Sequence, residues 1–131
     1  MKKDGLLNPQ ILSAIAAMGH MEYLVIADAG LPVPSGIPVI DISLIRGIPD
    51  FGAVLHSVID EMVVESFIVA EEMADKSQDT YGTVIEALPQ VPFRRIAHED
   101  FKEMAAKAKA VIRTGETTPY ANIILVAGVN F

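Results

Sequence analysis

The sequence contains no cysteine. Disulfides, thiol nucleophiles, zinc–thiolate sites and iron–sulfur clusters are excluded together, and the absence fits a reducing, cytoplasmic compartment. Positive charge is scarce. Ten Lys and Arg against seventeen Asp and Glu leave a formal net charge of −7 and a pI near 4.8. Such a surface repels a phosphate backbone and an anionic bilayer, so neither nucleic acid nor membrane is an expected partner, whereas a neutral small molecule is. Long apolar runs are missing too: charged residues interrupt every stretch short of the roughly 20 residues a spanning helix needs. The apolar segment Ile11 to Met18 behind Lys2-Lys3 is periodic and lacks a small-residue cleavage site, so it does not read as a signal peptide. No GxxxxGK phosphate loop, HExxH pair or GxSxG elbow occurs, and the three histidines share no metal-ligand spacing. ATP use, a metal site and a serine-hydrolase triad therefore have no support.

What is present suits one domain over residues 1–131, within the common size of about 100–150 residues. Hydrophobic residues make up 51%, and a mean hydropathy of +0.38 is high for a small monomer without a membrane span. Self-association is the better account of that excess. Helical and strand patterns alternate, which predicts an α/β domain. Asn8-Pro9 opens a helix whose stripe is Ile11, Leu12, Ile15 and Met18, with Gly19 placed to end it at positive φ. Leu24–Ala27 reads as a buried strand, 31–38 as a proline-stiffened loop, and Val39–Ile42 as a short strand. Asp50 caps a helix from Phe51 to about Met62, and Ser66–Ala70 is a further buried strand. A helix follows over about 79–88, then an edge-like strand at 91–97 containing Pro92, and a helix over 98–107 with Glu99 and Asp100 in its first turn. Strands at Ala110–Ile112 and Ile123–Val126 complete the pattern, and the apolar end at Phe131 is expected to dock.

Three places gather polar groups at the ends of these elements, where open α/β sheets bind ligands. His20 follows the first helix and Asp28 the first strand. An imidazole exchanges protons near neutrality, and a nearby carboxylate orients it. Equally, His20 can cap its own helix and Asp28 can begin a turn. His98-Glu99-Asp100 offers a hydroxyl-binding helix start or an ordinary capping cluster, and His56 carries no signal beyond a surface or interface position. The segment from Arg113 to Asn122 concentrates Thr114, Thr117, Thr118, Tyr120 and Asn122 with an ion-pair candidate in Arg113 and Glu116. Hydroxyl and amide groups read sugar hydroxyls, and an aromatic ring packs on the CH face of a sugar.

Taken together, Asn8 with Gly19-His20, Asp28-Ala29-Gly30-Leu31-Pro32-Val33-Pro34 and the whole stretch Arg113–Asn122 resemble the D-ribose pyranase branch of the RbsD/FucU sugar-mutarotase family. The start Met1-Lys2-Lys3, the middle Glu61–Glu65 and the ending Ala127-Gly128-Val129 extend the likeness along the chain. Fucose mutarotases of that family differ in the loop after Asp28 and around Thr117 to Tyr120. The resemblance implies a three-layer α/β sandwich, a central and mostly parallel sheet flanked by helices, assembled as a ring-like homo-oligomer. A decamer of two pentameric rings is the expectation, an octamer the alternative, with active sites at subunit contacts. It further implies interconversion of β-D-ribopyranose and β-D-ribofuranose without cofactor or metal, supplying furanose for ribose phosphorylation. His20 is then the proton donor, and Asp28, His98, Tyr120 and Asn122 bind D-ribose. The competing expectations are a mutarotase for another sugar such as fucose and a non-catalytic ribose-binding oligomer tied to ribose uptake.

Overall fold

The computed structural model describes residues 1–131. Its helices are α1 (Pro9–Ala16), α2 (Phe51–Ile59), α3 (Glu71–Lys76), α4 (Gln78–Ala87) and α5 (His98–Ala105). Its strands are β1 (Tyr23–Ala27), β2 (Val39–Asp41), β3 (Val64–Ala70), β4 (Phe93–Ile96), β5 (Ala110–Arg113) and β6 (Ile123–Ala127). The strands form one six-stranded sheet in the order β2-β5-β1-β6-β3-β4. All run parallel except β6, which is antiparallel to both neighbours, β1 and β3. The continuous apolar runs of β1 and β6 follow from this central position: Leu24, Val25, Ile26, Ile123, Ile124 and Leu125 are buried on both faces of the sheet.

Alternation along each strand divides the core into two layers. Leu24, Ile26, Ile123 and Leu125 pack with Ile11 of α1, Phe51, Leu55 and Val58 of α2, and Val84 of α4. Val25, Ala27, Ile68 and Ile124 face the other way, onto Phe101 and Ala105 of α5. Burying each large side chain of this set contributes about 1.5–3 kcal/mol. A sheet with helices on both faces results, as expected. Caps set the helix starts: the Asn8 side chain accepts from Ile11 N–H at 3.0 Å, and Asp50 from Ala53 N–H at 2.7 Å. The chain at β4 is an edge strand with Pro92 just outside it, and its exposed Arg94 and Arg95 discourage further pairing. Gly115 follows from close approach: a Cβ there would strike the Ile48 and Ile45 carbonyls, and the Gly115 N–H donates to Pro49 O at 2.9 Å.

Several local expectations are corrected. Helix α1 ends at Ala16, and Gly19 is not left-handed; Met21 takes that conformation, with φ 69°. The reason is that Glu22 holds the Gly19 N–H (2.8 Å), so the reversal falls two residues later, where Met21 N–H donates to Ala127 O (2.9 Å). Helix α3 was not legible because only Met73 within it is buried and the rest offers no stripe. Phe131 is fully exposed on its own chain, since the backbone leaves the sheet after Ala127. Leu44, Ile45, Ile48 and Val63 are exposed as well. No helix is long and apolar enough to cross a membrane.

Candidate active site

Strands β1, β5, β3 and β4 run parallel, so the segments that follow them emerge at one end of the sheet. There they border an open cavity of about 480 Å³ lined by Asp28, Ala29, Gly30, Leu31, Pro32, His98 and 116–120, a size usual for small-molecule sites. The loops after β1 and β5 are stitched together. Thr114, fully buried, donates through Oγ1 to Ala27 O (2.8 Å), and Ala29 N–H donates to Glu116 O (2.8 Å).

Asp28 is held on three sides. Its N–H donates to Asn122 Oδ1 (2.8 Å), its Oδ2 accepts from Asn122 Nδ2 (2.9 Å), and its Oδ1 accepts from Gly30 N–H (2.9 Å). The carboxylate is thereby oriented while its unused lone pairs remain available. Asn122 itself is 1% exposed. Its side chain stands behind Asp28 and fixes it, and does not line the cavity.

Tyr120 is one of two non-glycine residues with positive φ, at 62°, a conformation that persists only where surrounding contacts enforce it. The enforcement comes from Asn122 N–H donating to Tyr120 O (2.8 Å) and Ser77 Oγ donating to the neighbouring Pro119 O. The ring meets His98 edge-on, with centroids 5.1 Å apart at 83°, and lies under Lys76 Nζ at 5.8 Å. Helix α5 has no side-chain cap of its own. Glu72, on α3, replaces one: both its oxygens accept the His98 N–H, at 3.0 and 3.2 Å. Nδ1 of His98 is buried with no hydrogen-bond partner, whereas the residue as a whole borders the cavity.

Glu116 does not pair with Arg113, which instead binds Asp41 (3.2 Å). Its oxygens accept from Phe51 N–H at the start of α2, from the N–H groups of Thr117 and Thr118, and from Thr118 Oγ1. The sequence offered an ion pair by proximity, but the tight loop turns the carboxylate back onto its own backbone. Burial pushes its pKa up; the Thr118 amide and hydroxyl and the Phe51 and Thr117 amides outweigh that and leave it lowered from 4.5. A depressed folded-state value means the stabilisation is complete above the unfolded value and is lost as pH falls through the folded one. Chemical unfolding of Glu116→Gln near neutral pH should therefore show lower stability than the wild type. That gap should narrow below pH 4.5; a gap independent of pH would contradict this role.

His20 lies elsewhere. It precedes β1 while Asp28 follows it, so the length of the strand, about 17 Å at roughly 3.3 Å per residue, separates them. It borders a second cavity of about 470 Å³ with Met18, Met62, Val63, Ala127 and Val129. Its partner is Glu65, not Asp28: Nε2 lies 3.0 and 3.1 Å from the two carboxylate oxygens. Within one chain, then, Asp28, His98 and Tyr120 share a cavity, Asn122 backs it, and His20 is at the opposite end of the sheet. His56 lies exposed on α2. No group of three or more His, Asp or Glu side chains is gathered in a way that could hold a metal ion. The anchoring roles of Glu65 and Glu72 have no local sequence signal, since their partners are 45 and 26 residues away.

These features define a small α/β fold with an open cup at the ends of its parallel strands, lined by Asp28, His98 and Tyr120. The chain belongs to the RbsD/FucU family: the model described as the RbsD / FucU transport protein family matches residues 1–130. The D-ribose pyranase of Geobacillus thermodenitrificans is 50% identical over 131 residues, all of this chain and 99% of that protein. That of Bacillus cytotoxicus is 47% identical over the full length of both. Among solved structures, Bacillus subtilis RbsD complexed with D-ribose matches with a TM-score of 0.97 at 45% identity, covering 100% of each chain. The fucose mutarotase of Streptococcus pneumoniae in complex with L-fucose matches with a TM-score of 0.74 at 30% identity, over 95% of this chain and 94% of that one.

Proposed function

We propose that this protein is an isomerase that interconverts β-D-ribopyranose and β-D-ribofuranose. The observation that carries the reading is the polar cup of Asp28, His98 and Tyr120 in a chain that matches a ribose-bound structure over its full length. In the reaction the anomeric hydroxyl gives up its proton, the ring oxygen takes one, and the bond between C1 and the ring oxygen breaks to leave the open aldehyde. A different hydroxyl then attacks C1 and loses its proton as the aldehyde oxygen regains one. Atoms balance with no cofactor, metal or covalent nucleophile. Asp28, braced by Asn122, and the His98–Tyr120 pair hold the sugar's hydroxyl groups, and Tyr120 offers its ring to a CH face.

His20 supplies the proton-transfer group, a role worth about 10²–10⁴-fold. Because it is remote from the cup of its own subunit, the site is completed by His20 of a neighbouring subunit in a ring-like homo-oligomer, for which a decamer is our reading. Exposed Leu44, Ile45, Ile48 and Phe131 supply apolar surface for such contacts. The whole chain acts as a single domain in the cytoplasm, delivering furanose for ribose phosphorylation. Saturation-transfer NMR on ribose tests the assignment: exchange between the ring forms should be accelerated by the protein and lost in His20→Ala. Undiminished exchange in that variant would refute the acid–base role, and faster turnover of fucose than of ribose would refute the substrate.

A further inference from the structure

Three unusual features converge on the His20 corner. The pairing of β3 with β6 shifts register between Val64 and Ser66, so Glu65 is the extra residue of a β-bulge. Bulges bend a strand and re-aim a side chain, and they are frequent beside functional sites. Gly128 passes that bulge so closely that a Cβ on it would lie 2.9 Å from Val63 Cγ1 and 3.3 Å from Glu65 Cβ, and its N–H donates to Val63 O at 2.9 Å. Met21, directly after His20, is the other non-glycine residue held at positive φ, anchored by its N–H to Ala127 O. Bulge, glycine and strained turn together bring two half-exposed side chains, His20 and Glu65, into a two-oxygen contact. An exposed ion pair of this kind contributes little to stability, so three distortions maintained around it call for another account.

We infer that Glu65 is a positioning residue that fixes the tautomer of His20 and leaves Nδ1 as the atom that exchanges protons with the sugar. With Nε2–H donated to the carboxylate, the neutral imidazole carries its lone pair at Nδ1. When Nδ1 takes a proton, the same carboxylate faces the resulting imidazolium; when Nδ1 gives it up, the ring returns to the starting tautomer without turning over. The proposal rests on the acid–base reading of His20 given above.

The test combines ¹⁵N NMR of histidine-labelled protein with ribose exchange kinetics in Glu65→Gln, Glu65→Ala, His20→Ala and the Glu65→Ala/His20→Ala double variant, each checked for assembly by sedimentation. The wild-type His20 spectrum should be that of the Nε2–H tautomer, and Glu65→Ala should mix the two tautomers. The kcat for exchange should fall about 10–100-fold in Glu65→Ala and less in Glu65→Gln, by analogy with carboxylates that orient metal-bound histidines from behind. KM should stay constant, and Glu65→Ala should cost nothing further once His20 is gone. Wild-type kcat in Glu65→Ala, a Nδ1–H tautomer in the wild type, or an equal loss with and without His20 would each overturn the proposal while leaving the role of His20 intact. Full activity in His20→Ala would instead remove the underlying reading, and this proposal with it.

Discussion

Co-expressed His20→Ala and Asp28→Asn subunits should exchange ribose although neither variant does so alone. Within one chain the imidazole and the carboxylate are a strand length apart and border different cavities. A site assembled from two subunits needs an intact His20 from one and an intact Asp28 from the other. Random assortment of the two variants supplies both to about a quarter of the sites, because each contact draws its two halves independently. On the proposed reading, homogeneous His20→Ala loses the proton-transfer group at every site, an expected deficit of about 10²–10⁴-fold. Homogeneous Asp28→Asn removes the charged acceptor at every site. The mixture should therefore exceed either parent by at least tenfold in exchange rate measured by saturation transfer. A mixture no faster than its parents would place both groups of each site in the same subunit and end the shared-site reading.

A comparable loss is expected from Asn122→Asp, one atom exchanged on a buried side chain. Nδ2 of Asn122 lies 2.9 Å from Asp28 Oδ2. An oxygen in its place sets two carboxylates against each other, a repulsion of roughly 5 kcal/mol at an effective dielectric near 20. Such a pair answers by holding a proton or by moving apart. Displacing a sugar-orienting group by about 1 Å costs on the order of 10²-fold in rate, so ribose exchange near neutral pH should fall by at least that much. Acidification protonates the pair and should restore part of the loss. Asn122→Ala serves as the control: it leaves the Asp28 N–H without its partner, at a cost of about 1–3 kcal/mol, and should show no recovery in acid. A pH–rate profile for Asn122→Asp parallel to that of the wild type would show that Asp28 does not depend on this residue.

Local signals carried much of the architecture because they have local causes. Asn8 and Asp50 cap the first two long helices through amides three residues on, and the apolar runs of β1 and β6 announce strands buried on both faces. Helix α3 escaped because a charged helix with one buried residue has no periodic stripe. The order of strands was beyond reach, since nothing in Ile123–Ala127 says that it runs against both neighbours. The polar loop from Thr114 to Asn122 and the residue Asp28 stood out by composition, and they do border or brace one cavity. Long-range anchoring is the part that composition cannot express. The contacts of Glu72 with His98 and of Glu65 with His20 arise only when strands far apart in the chain are laid side by side.

The lone reversed strand ties the Asp28 and His20 ends of the chain to one rigid bar. Asn122, just before β6, grips Asp28, and Ala127 at its far end receives the amide that follows His20. If each copy lends its imidazole to the next and borrows one in turn, an open row of copies strands an idle histidine at one tip and an empty cup at the other. Only a closed assembly uses every one of both. Catalytic capacity per chain should then rise with closure and be insensitive to how many copies make up the circle.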